Sequence, residues 1–160
     1  MRNIKPFIVF LALLLVNVSF LSFHSDMTRY QKLQVYLKAA AEEAACGSAL
    51  FQDEEAYGRG ILAIKEQDAD AYARFVMAQT DSELKKSIGG SVAYDLEIFD
   101  DERGYDGCTA YGLAPGMPAV RISMDVSCRD LFRLPFLRVE RVRRSAVYQW
   151  KNLPHRTAEL

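Results

Sequence analysis

The sequence predicts an α+β protein: an N-terminal transmembrane helix that continues into an amphipathic stem, further helices, and then a small antiparallel β-sheet. Three observations carry that prediction. Residues 6–23, "PFIVFLALLLVNVSFLSF", run for 18 positions without a charge. Over residues 27–48, apolar and small side chains recur at steps of three and four, the spacing of one helical face. After Gly89 and Gly90 the period changes to two, the spacing of half-buried strands.

The uncharged run comes first. As a helix rising ~1.5 Å per residue it covers roughly 27 Å, close to the hydrocarbon thickness of a bilayer. A core helix of that length would show a polar stripe, and here only Asn17, Ser19 and Ser22 interrupt it. A cleaved signal peptide would end in a small-x-small site. This run ends "VSFLSFHSD", with phenylalanine where small residues would sit, so residues 1–25 read as a retained anchor. No cysteine follows the run to make a lipoprotein. Arg2 and Lys5 precede it, and Arg29 and Lys32 follow it. The short basic head predicts an N-terminus inside the cell membrane and an extracytoplasmic domain over residues 26–160. With one spanning segment, the chain reads as a single-pass protein and not as a channel or transporter by itself.

No proline occurs between Pro6 and Pro115, so the anchor can pass without a break into the stem, as one helix of about 40 residues. Met27, Tyr30, Leu33, Leu37, Ala41, Ala44 and Ser48 form one face of it, and Lys32, Lys38 and Glu42 lie off that face. Asp53 in "DEEA" reads as a helix start whose carboxylates match the positive end of the dipole. Gly58 and Gly60 weaken that helix. Residues 61–79 read as helical, with Ile61, Ile64, Ala71, Phe75 and Ala78 inward, and with Asp68 and Asp70 as caps for a break near residues 67–70. The helical part thus covers residues 26–88.

The strand-rich part covers residues 89–151, and a tail residues 152–160. In "SVAYDLEIF", Val92, Tyr94, Leu96 and Ile98 alternate with Ala93, Asp95 and Glu97. In "AVRISMDVSC", Val120, Ile122, Met124, Val126 and Cys128 alternate with Arg121, Ser123, Asp125 and Ser127. Each is a strand with one wet face. Between them "DDERGYDG" is turn chemistry and "CTAYGL" reads as a short strand. Over residues 136–150, Val142, Ala146, Tyr148 and Trp150 share a face, with Arg141 and Arg143 opposite. The sheet is expected to pack on the membrane-proximal helices.

Charge and composition exclude several functions. The formal net charge is −1, which argues against a nucleic-acid binder. Residues 42–102 carry 15 acids and 5 bases, and residues 103–160 carry 10 bases and 5 acids. Such opposed blocks meet within one fold, meet between neighbouring subunits, or stay solvated. His24 and His155, the two histidines, lie at opposite ends of the chain, a poor start for a shared catalytic site. Glu42 and Glu43 are neighbours on a helix and point about 100° apart. Asp100, Asp101, Glu102 and Asp106 crowd one loop, yet the EF-hand order is absent and a plain acidic turn is expected there. The arginines at 129, 133, 138, 141, 143 and 144 resemble a basic patch, and keeping an edge strand soluble explains them as well as a ligand does. No nucleophile elbow, phosphate loop or dinucleotide fingerprint occurs. No enzyme activity, cofactor, metal or small-molecule substrate is expected. Of the three cysteines, Cys108 and Cys128 both belong to the strand-rich part and are the favoured disulfide pair; three free thiols are the alternative.

The stem segment "YLKAAAEEAACGSALF" raises its own question. Ala39, Ala40, Ala41, Ala44, Ala45, Gly47, Ser48 and Ala49 bury little area, but they let backbones come close. Leu33, Leu37, Ala41, Ala44, Ala45 and Ser48 are therefore the expected helix-packing interface. The residues leave open whether that face meets the chain's own sheet and helices or a helix of another subunit. A basic head, an apolar anchor, the stem "SDMTRYQKLQVYLKAAAEEAACGSAL" and a strand-rich end together resemble the TadE/TadF-type minor pseudopilins of tight-adherence (Tad, or Flp) pilus systems. Gln34, Ala41, Ala44 and Ala45 match the family's glutamine-centred segment leading into A-x-x-A-A. Val126, Pro135, Ser145 and Ala146 match its ending of strand, proline-containing loop and short strand. The resemblance covers the anchor and stem well, the end loosely, and residues 53–88 hardly at all. It implies a pilin-like fold, no catalysis, and partners among other pseudopilin-like subunits or the pilus-assembly membrane platform. The head "MRNIKPFIVF" lacks the glycine and glutamate of prepilin-peptidase substrates, which implies an unprocessed accessory subunit. A membrane-tethered binding or sensor-like module, or a small secreted domain with its signal removed, are the alternatives.

Overall fold

The computed structural model of the chain describes residues 4–128, 131–132 and 139–150. Arg2, the arginines at 129, 133 and 138, Pro135, residues 136–138, His155 and the tail over 152–160 lie outside the described residues. The architecture is α+β, as the sequence predicts. α1 (Ile4–Ser48) is one unbroken helix of 45 residues, about 66 Å long at ~1.5 Å per residue. Its two halves sit in different surroundings. Residues 4–21 are exposed on all sides, and the most apolar 18-residue window has a mean hydropathy of 2.4 with none of it buried against the chain. Among the described residues, α1 is the one helix long and apolar enough to cross a membrane. From Leu33 onward α1 turns a buried stripe inward, and Lys32, Lys38 and Glu42 stay exposed. Asp26, one turn above the apolar run, is fully buried and engaged within the fold.

α2 (Glu54–Gly58) is short. Asp53 caps it by accepting the Ala56 N–H at 2.9 Å, and glycines at 58 and 60 end it. α3 (Glu66–Ile88) closes on Gly89, whose φ of 61° is the left-handed cap that a residue without Cβ adopts freely. It begins five residues later than the sequence suggests. Gln52 and Ile64 form an antiparallel bridge instead, so Ile64 is buried in a closed loop and not on a helix. The inward face also differs. Ala69, Ala73, Val76, Met77, Thr80 and Leu84 are buried, while Ala71, Phe75 and Ala78 are exposed. The reason is the neighbour: α1 offers alanines, Ser48 and Gly47, and a helix packing that closely presents its own alanines rather than phenylalanine.

Three strands complete the chain: β1 (Ser91–Phe99), β2 (Ala119–Ser127) and β3 (Arg141–Gln149), in the order β1-β2-β3 and antiparallel throughout. Val120, Ile122, Met124, Val126 and Cys128 are buried, as their alternation requires. Ile122 faces Leu96 on one side and Ala146 on the other. On β3, Val142 and Ala146 are buried and Arg141 and Arg143 exposed, while Tyr148 lies at the exposed rim and Trp150 is half-buried. "CTAYGL" is not a strand. Cys108–Tyr111 forms a 3₁₀ turn between Gly107 and Gly112, at φ 78° and 75°, and left-handed residues at both ends cannot continue an extended ladder.

The helices cover one face of the sheet, α1 beneath β2 and β3 and α3 beneath β1. Trp150 Nε1 donates to the Ala49 carbonyl at 2.7 Å, and Phe132 packs on Tyr30 with ring centroids 6.1 Å apart. β3 therefore ascends in the direction of α1, β2 descends, and β1 ascends. α3 descends, with Ser48 Oγ bonded to the Ala69 carbonyl at 2.9 Å near its start and Leu84 and Ile88 beside Leu33 near its end.

Candidate assembly surfaces

Leu33, Leu37, Ala41, Ala44, Ala45 and Ser48, the expected helix-packing interface, are all buried, five of them at 0% exposure. Leu33 is the sixth, at 7%. They are buried inside the chain itself, in one cluster with Ala69, Ala73, Val76 and Met77 of α3 and Ile122, Met124, Val142 and Ala146 of the sheet. The alternative use of that face, a seam with another subunit, is corrected by this packing. Small residues are needed because a layered fold with two helices on a three-stranded sheet brings α1 against α3 and the sheet at once. Gly47 marks the limit: a Cβ there would fall inside the Tyr72 ring, which itself packs on Phe51 with centroids 6.0 Å apart.

The acidic loop after β1 is a latch. Asp100 is fully buried. Its Oδ2 accepts the Ile64 N–H at 3.1 Å and the Arg103 guanidinium at 2.6 Å, and its Oδ1 accepts the N–H groups of Glu102 at 3.2 Å and Arg103 at 2.8 Å. Arg103 also reaches Glu66 at 2.8 Å, and Asp101 accepts the Leu62 N–H at 2.8 Å. Burial, with the nearby Asp101 carboxylate, raises the Tyr105 phenol far above its ordinary value, so it stays protonated and donates to Asp101 at 2.8 Å. These carboxylates hold the 52–64 loop to the end of β1 with donors from the same chain. Among the described residues no group of three His, Cys, Asp or Glu side chains is placed to hold a metal ion.

All three cysteines are free, which corrects the Cys108–Cys128 pairing. Cys108 belongs to a small cluster with Phe99, Leu113 and Ala119 at the start of β2, and Cys128 to the main core beyond its end. A nine-residue strand at ~3.3 Å per residue separates the two clusters by roughly 30 Å, far outside disulfide reach. Burial raises the Cys128 thiol above its ordinary value. Sequence reasoning missed three structural residues. Asp26 and Asp100 look like solvated acids, since nothing in their local sequence marks either carboxylate as buried. Gly47 looks like one more small residue in an alanine run.

Among the described residues, the open surfaces include the apolar half of α1, a groove of about 450 Å³ and the outer face of the sheet. The groove lies low on the domain, between Arg29, Leu33 and Tyr36 of α1 and Leu84 and Ile88 of α3. Val35 of α1 is 70% exposed. His24 is exposed at the head of the stem. The outer face of the sheet carries charge: Arg121 pairs with Glu97 at 2.9 Å and Arg143 with Asp125 at 3.1 Å, and the Arg121 guanidinium lies 4.3 Å from the Tyr111 ring centroid. Compared with known proteins, the chain matches no family model, no curated protein and no solved structure.

Proposed function

We propose that the chain is a non-enzymatic, single-pass membrane protein whose domain lies outside the cytoplasm, acting as an accessory subunit of a pilus assembly or secretion system, similar to the TadE/TadF-type minor pseudopilins. The observation that supports this reading is the continuity of α1. One helix is exposed and apolar over residues 4–21 and becomes the buried spine of the domain from Leu33 onward. No linker separates anchor from domain, so the domain stands at a fixed angle and rotation on its anchor, as a subunit of an ordered assembly requires and a freely tethered binding module does not. Because the alanine face is filled by the chain's own α3 and sheet, contacts with other subunits come from the anchor and from the outer surfaces.

The experiment uses the full chain in cells. The anchored reading expects the protein to stay with membranes through carbonate washing, with residues 1–25 still attached, and the domain to be digested by protease added to spheroplasts. It also expects co-purification with other pilus subunits or the assembly platform after crosslinking. A mature chain beginning near His24, or a domain digested only after lysis, overturns the reading. Retention in the membrane with no pilus component captured leaves the rival, a tethered binding module that uses the groove beside Arg29 and Tyr36.

A further inference from the structure

We propose that two copies of this chain pair side by side through their sheets, β3 of one copy adding in parallel to β1 of the next. Val92 turns its N–H away from β2 and gives it to the Asp81 carboxylate at 3.0 Å. On the other side of the sheet, the Cys128 N–H donates to the Glu140 carbonyl and the Trp150 N–H to the Pro118 carbonyl, both at 2.9 Å. Every second residue of an antiparallel pair bonds across it. Even-numbered residues of β2 therefore bond β3, and odd-numbered ones bond β1. The outward N–H and C=O groups are then those of Tyr94, Leu96 and Ile98 on β1, and of Arg143, Ser145 and Val147 on β3. Among the described residues no strand adjoins either edge.

Parallel pairing of these edges keeps the faces in phase. Odd residues of β3 fall beside odd residues of β1, so the wet face continues as a wet face and the core face as a core face. The charges on the wet face then decide which edges meet. β1 carries Asp95 and Glu97, and β3 carries Arg141 and Arg143, each pair two residues apart. In the register that sets Arg141 beside Asp95, Arg143 lies beside Glu97. Asp95 and Arg141 are exposed and take part in no ion pair among the described residues. Joining β3 to β3 would oppose arginines, and joining β1 to β1 would oppose carboxylates, which disfavours both.

Direction gives the same answer. Like edges meet around a two-fold axis normal to the sheet, which would point one α1 up and the other down. β1 and β3 both ascend with α1, so adding one to the other leaves the two anchors pointing the same way, as one membrane requires. Sheet twist sets the limit. Three strand steps of about 20–25° turn the second copy by roughly 60–75°. Shared between two anchors, that is a tilt of about 30–40° each, at the upper end of what membrane helices adopt. A third copy does not fit the same bilayer, so the assembly is a pair. The pairing of edges stands by itself; the limit to a pair rests on the anchored reading.

The test uses the full chain in detergent micelles, with self-association followed by light scattering across concentration. Wild type is expected to associate reversibly, and more weakly at about 1 M salt than at about 0.1 M, where screening is less. Asp95→Arg and Arg141→Asp alter exposed side chains and should keep the wild-type melting curve. Each alone should associate at least about tenfold more weakly. An equimolar mixture of the two variants, and the double variant Asp95→Arg/Arg141→Asp, should regain wild-type association. A wild-type chain that stays monomeric at about 100 µM overturns the proposal, as do single variants that associate like wild type or a mixture that fails to recover. Carbonate washing separates this result from the test of the anchor. Association by charge-matched edges in a chain that washes out of membranes removes the anchored reading and keeps the edge, and the converse removes the edge alone.

Discussion

A single hydrogen atom at Gly47 determines how near α3 lies to α1, because a methyl group there would occupy the Tyr72 ring. The side chains around it are just as constrained. Ala44 and Ala45 have no exposed surface, and the Ser48 hydroxyl bridges to the Ala69 carbonyl. Adding bulk to such a seam forces off-rotamer side chains and costs about 1–3 kcal/mol. Gly47→Ala and Ala44→Leu should each lower the stability of the domain by about that amount, and Lys38→Leu, on the exposed side, should change it by less than about 0.5 kcal/mol. Melting by circular dichroism checks this; an unchanged curve for Ala44→Leu would mean that the seam has room to spare. The thiols give a second check at this scale. Cys108 and Cys128 are buried and Cys46 is half-exposed, and access governs thiol reactivity. A maleimide reagent should modify one cysteine quickly in the folded chain and the other two only after unfolding. A reductant-sensitive link between Cys108 and either other cysteine in the folded chain would contradict the free-thiol state.

Among the elements, the passage from α3 to β1 is held by local chemistry. Gly89 ends the helix in the left-handed region, and a Cβ on Gly90 would sit 2.8 Å from the Ser127 carbonyl, so the chain turns without side chains. Asp81 then caps the outward N–H of Val92. Lys85 first, and that N–H second, hold the Asp81 carboxyl below its ordinary value of 3.8. Linkage fixes the sign. The unfolded chain takes up the proton near pH 3.8 and the folded chain only at lower pH, so the contribution is complete above 3.8 and is lost as pH falls through the depressed value. Asp81→Asn should lower the melting temperature at neutral pH and reduce its fall between about pH 5 and pH 2, so that variant and wild type converge in acid; a pH profile parallel to wild type would remove Asp81 from that role. The same elements show what can be read from residues alone. The strict alternation in "SVAYDLEIF" coincides with β1 residue for residue, because a sheet with one wet face writes its register into the sequence. The buried stripe of α1 is legible in the same way. Its occupant is not, since spacing that permits close approach does not say which helix approaches. The inward face of α3 is hard to read because Phe75 outweighs Ala69 and Ala73 in any hydrophobic pattern, whereas close packing prefers the alanines. Asp100 is unreadable for a related reason: Glu102 and Arg103 supply local donors, but the Ile64 N–H that ties it to the 52–64 loop comes from 36 residues away.

For the whole molecule, the consequence of one continuous helix is that rotation at the anchor becomes rotation of the domain. Each residue in a helix advances ~100° around the axis and ~1.5 Å along it. Inserting one alanine between Phe20 and Leu21, both of them exposed, should leave the core and its melting curve intact. It should nevertheless turn the sheet edges by ~100° relative to the anchor. Four inserted alanines turn it by ~400°, a net ~40°, and raise it by ~6 Å. If the anchors of paired copies also meet through one fixed face, the one-residue insertion should abolish any crosslink between β1 and β3 of paired copies in a membrane, and the four-residue insertion should restore much of it. In detergent, where no bilayer aligns the anchors, both insertions should associate like the parent chain. Equal crosslinking by all three chains in membranes would mean that the anchors turn freely about their own axes, and pairing would then rest on the sheet edges alone.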